Sequence, residues 1–184
     1  MRRFAVCVLL FFLAGCSENK EINDGLELRT RLLQSRECSF SVCINVDYGQ
    51  QLYNFSMDCI ADQQGNIRFT VTEPETISGI CGQISSDGGA LMFDNVALDV
   101  GLLADNQLSP VSAPWILMNT LRSGCLTSAC REDGMIRLSL DDRYEEDALH
   151  LDVWLDTDNL PQHADILHNG IRVLSLDVKN VVIV

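Results

Sequence analysis

Phe40-Ser41-Val42-Cys43-Ile44-Asn45-Val46, followed after a short break by Tyr53-Asn54-Phe55-Ser56-Met57-Asp58-Cys59, is the stretch on which the fold turns. Apolar and polar side chains alternate in both runs, the period of a strand with one buried face and one wet face. Tyr48-Gly49 between them reads as a two-residue hairpin loop. That register sets Phe40 against Met57, Val42 against Phe55, Ile44 against Tyr53 and Cys38 against Cys59. Only Val46 opposite Gln51 is mismatched. A loop centred one residue later, on Gly49-Gln50, moves Cys38 off Cys59.

The same alternation extends outward. Asp62-Gln63-Gln64-Gly65-Asn66 is a turn, and Ile67, Phe69 and Val71 form a third strand that ends before Pro74. Residues 79–93 read as two strands around Ser85-Ser86-Asp87-Gly88-Gly89, and residues 95–104 as a strand or a short helix. A helix follows, with Ser112 at its cap and Pro114 in its first turn. Trp115, Leu117, Met118 and Leu121 form its buried face, and Ser123-Gly124 closes it. Ile136, Leu138 and Leu140, then Leu149, Leu151, Val153 and Leu155, are half-buried strands. The acidic loop between them carries Asp141, Asp142, Glu145, Glu146 and Asp147. Residues 166–184 give one or two more strands, with Leu174, Leu176 and Val178 inward. Upstream, Ile22, Leu26, Leu32 and Leu33 mark an amphipathic helix over residues 21–34, although Arg29 falls on its apolar stripe. Eight to ten strands in sequential antiparallel order, with two or three helices, describe one α+β domain. Its form is a strongly curved antiparallel sheet with helices on the concave side.

The chain has 184 residues, 47% of them hydrophobic, and a formal charge of −13. That is enough apolar matter for a core. The acidic balance argues against nucleic acid as a partner, because phosphate binding needs clustered Lys and Arg. The N-terminus sets the compartment. Met1-Arg2-Arg3 precedes an apolar run from Phe4 to Ala14, the pattern of an export signal and too short for a span of roughly 20 residues. Leu13-Ala14-Gly15-Cys16 resembles the lipobox of bacterial lipoproteins. Residues 1–15 are thus expected to be a signal peptide, Cys16 the site of diacylglycerol attachment, 16–25 a polar tether and 26–184 the domain. The membrane is then a partner through the Cys16 lipid, on the extracytoplasmic face.

Six further cysteines stand in that domain: Cys38, Cys43, Cys59, Cys81, Cys125 and Cys130. Outside the cytoplasm they admit up to three bridges. The hairpin register points to Cys38–Cys59, and the short Leu-Thr-Ser-Ala segment between Cys125 and Cys130 points to a second bridge. Free thiols and a zinc site are the other readings. Zinc is disfavoured because the alternation puts Cys38 and Cys43 on opposite strand faces.

The layout resembles the LolA/LolB superfamily of lipoprotein carriers and their lipid-anchored relatives. The resemblance lies in the lipobox to Cys16, the helix from Glu21 and the meander from Cys38 to Val71. It extends to Val71-Thr72-Glu73-Pro74-Glu75-Thr76-Ile77-Ser78-Gly79-Ile80, to Leu108-Ser109-Pro110, and to Leu160-Pro161 before Ile166. It implies an unclosed half-barrel lidded by helices, with a hydrophobic cavity for acyl chains. Inward apolar side chains that helices only partly cover suit such a ligand, and Phe55, Phe69, Leu91, Phe93, Trp115 and Met118 are the candidate lining.

No catalytic residue, metal site or cofactor is assigned. The sequence has no nucleophile elbow, phosphate loop, dinucleotide fingerprint or His-Glu-x-x-His. His150, His163 and His168 have no nucleophile or carboxylate placed beside them by the sequence, and Asp156-Thr157-Asp158-Asn159 reads as a solvated turn rather than a calcium loop. The expected function is a non-enzymatic, monomeric, lipid-anchored protein that binds or transfers a lipid or another apolar ligand. The alternative is a cell-envelope protein-interaction module without a small-molecule ligand.

Overall fold

The alternation around Phe40 becomes β1 (Glu37–Asp47), paired antiparallel with β2 (Leu52–Asp62). The computed structural model that shows this describes residues 20–47, 52–86, 88–93, 96–100, 103–104, 107–145 and 147–184. From β2 the chain continues through β3 (Ile67–Glu73), β4 (Cys81–Ser85), β5 (Gly88–Phe93) and β6 (Val96–Val100), each hydrogen-bonded to the strand before it. The short pair β7 (Leu103–Ala104) and β8 (Gln107–Leu108) leads through a 3₁₀ turn at Pro110–Ser112 into helix α2 (Ala113–Ser123). A second meander follows: β9 (Cys125–Glu132), β10 (Met135–Asp141), β11 (Leu149–Leu155), β12 (Pro161–His168) and β13 (Ile171–Ile183). The last strand pairs with the first, so the eleven-stranded order is β6-β5-β4-β3-β2-β1-β13-β12-β11-β10-β9. Helix α1 (Lys20–Gln34) precedes the whole sheet.

From β1 to β3 and from β10 to β13 one face of this sheet is apolar. Phe40, Val42, Ile44 and Val46 on β1, Met57, Cys59 and Ala61 on β2, and Leu174, Leu176 and Val178 on β13 are buried, as are Leu151, Val153 and Leu155 on β11. Eleven strands about 4.8 Å apart would lie some 48 Å across if flat, and two helices about 10 Å thick cannot cover that width. The helices lie on that face: α1 packs on β9 and β10, and α2 packs on β10, β2 and α1. Two or three helices were expected, and the described residues hold two α-helices; the layout agrees with the expected open antiparallel sheet. β6 and β9 are its ends and are not paired with each other.

Three expectations change. The β1–β2 register is the alternative one: Cys38 faces Ala61, Phe40 faces Cys59, Val42 faces Met57, Ile44 faces Phe55 and Val46 faces Tyr53. A slip of two residues keeps every side chain on its own face, so alternation alone cannot distinguish the registers. The observed one replaces the Val46–Gln51 mismatch with Val46–Tyr53. It also removes the argument for a Cys38–Cys59 bridge, and the six cysteines are free thiols. Burial pushes the Cys38 thiol up to about 11 against the pull of Arg122 and Arg31. Burial, with a smaller contribution from Asp58, raises Cys59 further. Second, Cys125 and Cys130 lie not in a loop but in one extended strand, β9. Five residues at ~3.3 Å each separate them by about 16 Å, well beyond the ~7 Å limit for a disulfide. Third, the helix begins at Lys20, and Gly25 within it is buried against Leu138. Residues 20–25, expected as tether, belong to the packed domain.

Candidate functional site

Of the six candidate lining residues, Phe55, Phe69 and Leu91 lie on the inner face of the sheet and Trp115 and Met118 on the helix above it. Phe55 and Phe69 are buried on β2 and β3, with Phe69 opposite Gly82 of β4, and Gly82 in turn opposite Leu91 of β5. A Cβ on Gly82 would lie 2.5 Å from the Ala90 carbonyl oxygen and 2.8 Å from the Phe69 ring. The absent side chain is what lets that ring lie between β3 and β4. Met118 is buried on α2, while Trp115, one turn earlier, and Leu91 are half-buried against the core. Phe93 ends β5, and its side chain falls outside the described residues, as do Cys16 and the segment before it.

Two helix contacts hold this lid. Arg29 donates from Nε to the Leu121 carbonyl at 2.9 Å and from Nη2 to the Gly124 carbonyl at 2.6 Å. It therefore satisfies carbonyls at the C-terminal end of α2 that have no partner within the helix. Its place on the apolar stripe of α1 is explained by that contact. Arg122, itself buried, donates to the Asp62 carbonyl at 2.8 Å and joins α2 to the β2–β3 turn.

The outer face carries polar chemistry that sequence spacing did not show. His163 of β12 stands opposite Asp177 of β13, and Asp165 stands opposite Ser175. His163 Nδ1 is 2.7 Å from an Asp177 oxygen, and Nε2 is 3.3 Å from Asp165 and 3.5 Å from the Ser175 hydroxyl. Its ring tilts against Trp154 at a centroid distance of 5.2 Å. A similar group joins β10 and β11, with His150 Nδ1 2.7 Å from Asp141 and Ser139 donating to Asp152 at 2.6 Å. The signal was the two-residue step from His163 to Asp165 on one strand, readable only once β13 is in register.

Serine, histidine and aspartate in this order evoke a hydrolytic triad, but Nε2, the atom that would take the serine proton, is 3.5 Å from Ser175 Oγ and nearer, at 3.3 Å, to the Asp165 carboxylate. The hydrogen bond with Asp165, and then that with Asp177, raises the imidazole pKa against the effect of burial. Asp165 is half-buried, which raises its carboxyl. The neighbouring His163 ring and Ser175 hydroxyl, and the Arg172 guanidinium, nevertheless hold it below the usual range. The group is a proton-dependent clasp between β12 and β13. Because the folded pKa is raised, its stabilisation is full below the unfolded value of about 6.5 and is lost as pH rises through the folded value. His163→Gln is expected to lower the thermal midpoint at about pH 6, by up to ~1 kcal/mol for this part-exposed group, and to change it little at about pH 9. Thermal melts of both proteins at the two pH values check this; equal losses at both would remove the clasp.

Elsewhere, Asp156 accepts hydrogen bonds from the backbone of Asp158 and Leu160 and from Gln162, which makes it the organiser of its turn. An open depression at the β2–β3 end is lined by Asn54, Thr72, Glu73, Pro74, Glu75 and Ser78, all polar but the proline. Among the described residues no His, Cys, Asp and Glu group has the arrangement of a metal site, and no helix is long and apolar enough to cross a membrane.

No protein-family model matches the chain, and no curated protein matches it. Solved structures do. A LolA superfamily protein from Nitrosomonas europaea aligns over 85% of this chain and 92% of its own, at 10% identity and a TM-score of 0.41. LprF from Mycobacterium bovis aligns over 91% and 95%, at 12% identity and 0.45. The lipoprotein LppX from Mycobacterium tuberculosis aligns over 87% and 91%, at 13% identity and 0.42. Its structural neighbours are LolA-superfamily proteins and lipoproteins. This chain's own layout is the open sheet with α1 and α2 on its inner face, tied by the arginine contacts from both helices described above.

Proposed function

We propose that this chain is a lipid-anchored extracytoplasmic lipoprotein, attached through Cys16, that binds a lipid or acyl chain on the inner face of its sheet beneath α2. The observation that carries the reading is that Trp115 and Leu91 remain half-buried against the apolar inner face of an unclosed sheet, where their described apolar neighbours are closed to solvent. Such concave apolar surfaces with few polar groups are the usual setting for apolar ligands. Trp115 and Leu91 are half-buried there and are the side chains best placed to exchange contact with water for contact with an acyl chain. Binding and release need no catalytic group.

The test is native mass spectrometry of the chain extracted in detergent from membranes of its own host. The native mass is compared with the denatured mass of the same sample, so that covalent lipid on Cys16 cancels. The expected result is a non-covalent adduct of lipid mass, retained by Trp115→Phe and reduced at least tenfold by Trp115→Glu. A clean apo mass that stays unchanged when phospholipid is added would overturn the reading and favour a protein-interaction module.

A further inference from the structure

We infer that the free edge of β9 is a docking strand for a second copy of this chain, with Cys125 and Cys130 placed to lock the pair. β9 ends the sheet and, among the described residues, is hydrogen-bonded on one side only, to β10. An unpaired strand edge is a template for another strand, and natural proteins commonly blunt it with proline or lysine. Cys125–Glu132 contains neither; its guards are one ladder irregularity and two charges, Arg131 and Glu132, that stand together at one end, where Arg131 pairs with Glu21 of α1.

The faces of β9 make the edge self-complementary. Cys125 lies opposite Asp141 and Cys130 opposite Arg137, both on the outer face of β10; Leu126 lies opposite Leu140 and Ala129 opposite Leu138, both on the inner face. An odd spacing of five would normally put two thiols on opposite faces. The ladder irregularity between Ser139 and Leu140 absorbs one residue of β9 and returns both to the outer face. A second β9 laid antiparallel, with Cys125 opposite Cys130 of the second copy, sets Leu126 opposite the other copy's Ala129. Inner then meets inner and outer meets outer, twice over, about a two-fold axis near Thr127 and Ser128. A one- or two-residue slip breaks this match by bringing Cys130 against Leu126, or Ser128 against Ala129. Leu126 and Ala129 are only partly buried in the single chain, so the second strand would complete their cover.

Antiparallel partners stand about 4.5–5.5 Å apart at Cα, inside the range a disulfide needs. The bridge within one chain is excluded by distance, whereas the same two thiols in two copies meet as two pairs. Locking consumes two molecules of a disulfide oxidant. Each pair of thiols becomes one disulfide, and each oxidant disulfide is reduced to two thiols that carry the released protons. Cys38 and Cys59, buried on the inner face, take no part. The inference departs from the expected monomer and does not depend on any lipid ligand.

The test uses the full chain in detergent, treated with oxidised glutathione and examined on non-reducing gels, with the cross-linked peptides identified by mass spectrometry. The expected product is a dimer joined Cys125 to Cys130. It should fall to background in Cys125→Ser and in Cys130→Ser, while sedimentation under reducing conditions still shows a non-covalent dimer. Ser128→Lys puts two like charges near the axis at an exposed position. It should weaken that non-covalent dimer at least tenfold and leave unchanged the thermal midpoint measured at dilutions where the chain is monomeric. A monomer under both conditions, or a dimer linked through Cys43 or Cys81, would overturn the inference. So would a dimer that Ser128→Lys leaves intact.

Discussion

Gly124→Val is expected to destabilise the domain by about 3 kcal/mol and to lower its thermal midpoint by about 10 °C. Gly124 follows α2 directly and precedes β9 without a connecting loop, and its dihedrals (φ −67°, ψ 165°) are open to any residue. The penalty is therefore purely steric. A Cβ there would lie 2.6 Å from Thr120 Cγ2, 2.7 Å from the Thr120 oxygen and 2.8 Å from the Asp141 oxygen. Two of those three atoms are backbone, in a helix and in a strand, and neither moves without disturbing packing of the lid. Gly134→Ala is the contrasting control: nothing lies within 4 Å of its Cβ, but φ is +85°. It should lose about 1 kcal/mol through conformation alone. Thermal and urea melts of the two variants check both numbers. Equal losses would show that the helix-to-strand junction has more room than its geometry gives it.

Arg29→Met is expected to lose about 2 kcal/mol, since it keeps the aliphatic stem and removes charged hydrogen bonds to two carbonyls. Arg29→Lys should recover less than half of that. An ammonium is a point charge, and it cannot reproduce the fork that reaches Leu121 and Gly124 together. Urea denaturation of the two variants is the measurement. Full recovery by lysine would mean that charge, not fork geometry, holds α1 to α2. The pair Arg29→Met and Gly124→Val should also be non-additive, since both act on the same end of α2.

Arg29 shows why parts of this fold were legible in the sequence and others were not. The strands around Phe40, Ile67, Leu138, Leu151 and Leu174 could be read because burial on one face writes itself as alternation. Helix α2 could be read because Trp115, Met118 and Leu121 recur at helical spacing between Pro114 and Gly124. Arg29 looked like an error on a helix stripe, since its partners are carbonyls that no residue-type pattern announces. The β1–β2 register escaped for a related reason: two registers of equal parity share one pattern, and alternation cannot tell them apart. Cys125 and Cys130 were taken for loop residues because a helix running straight into a strand leaves no turn residues to mark the strand's start. In the candidate site, Phe55, Phe69 and Met118 were legible as inward, but the His163 group was not. Its members come from two strands and meet only through a ladder.

The pairing of β1 with β13 has a kinetic meaning. Strands in each meander meet neighbours across short turns, which close quickly. The seam between the meanders must join residues as far apart as Asn180 and Ser41, 139 positions along the chain. Its closure carries the largest loop entropy in the sheet and is the natural slow step. Until it closes, each half-sheet shows water an apolar face and β1 shows an unpaired edge. A chain made from its N-terminus completes β1 long before β13 exists. The nascent first meander is thus the state most open to aggregation, and a chaperone for this protein would act there, before the final strand is made.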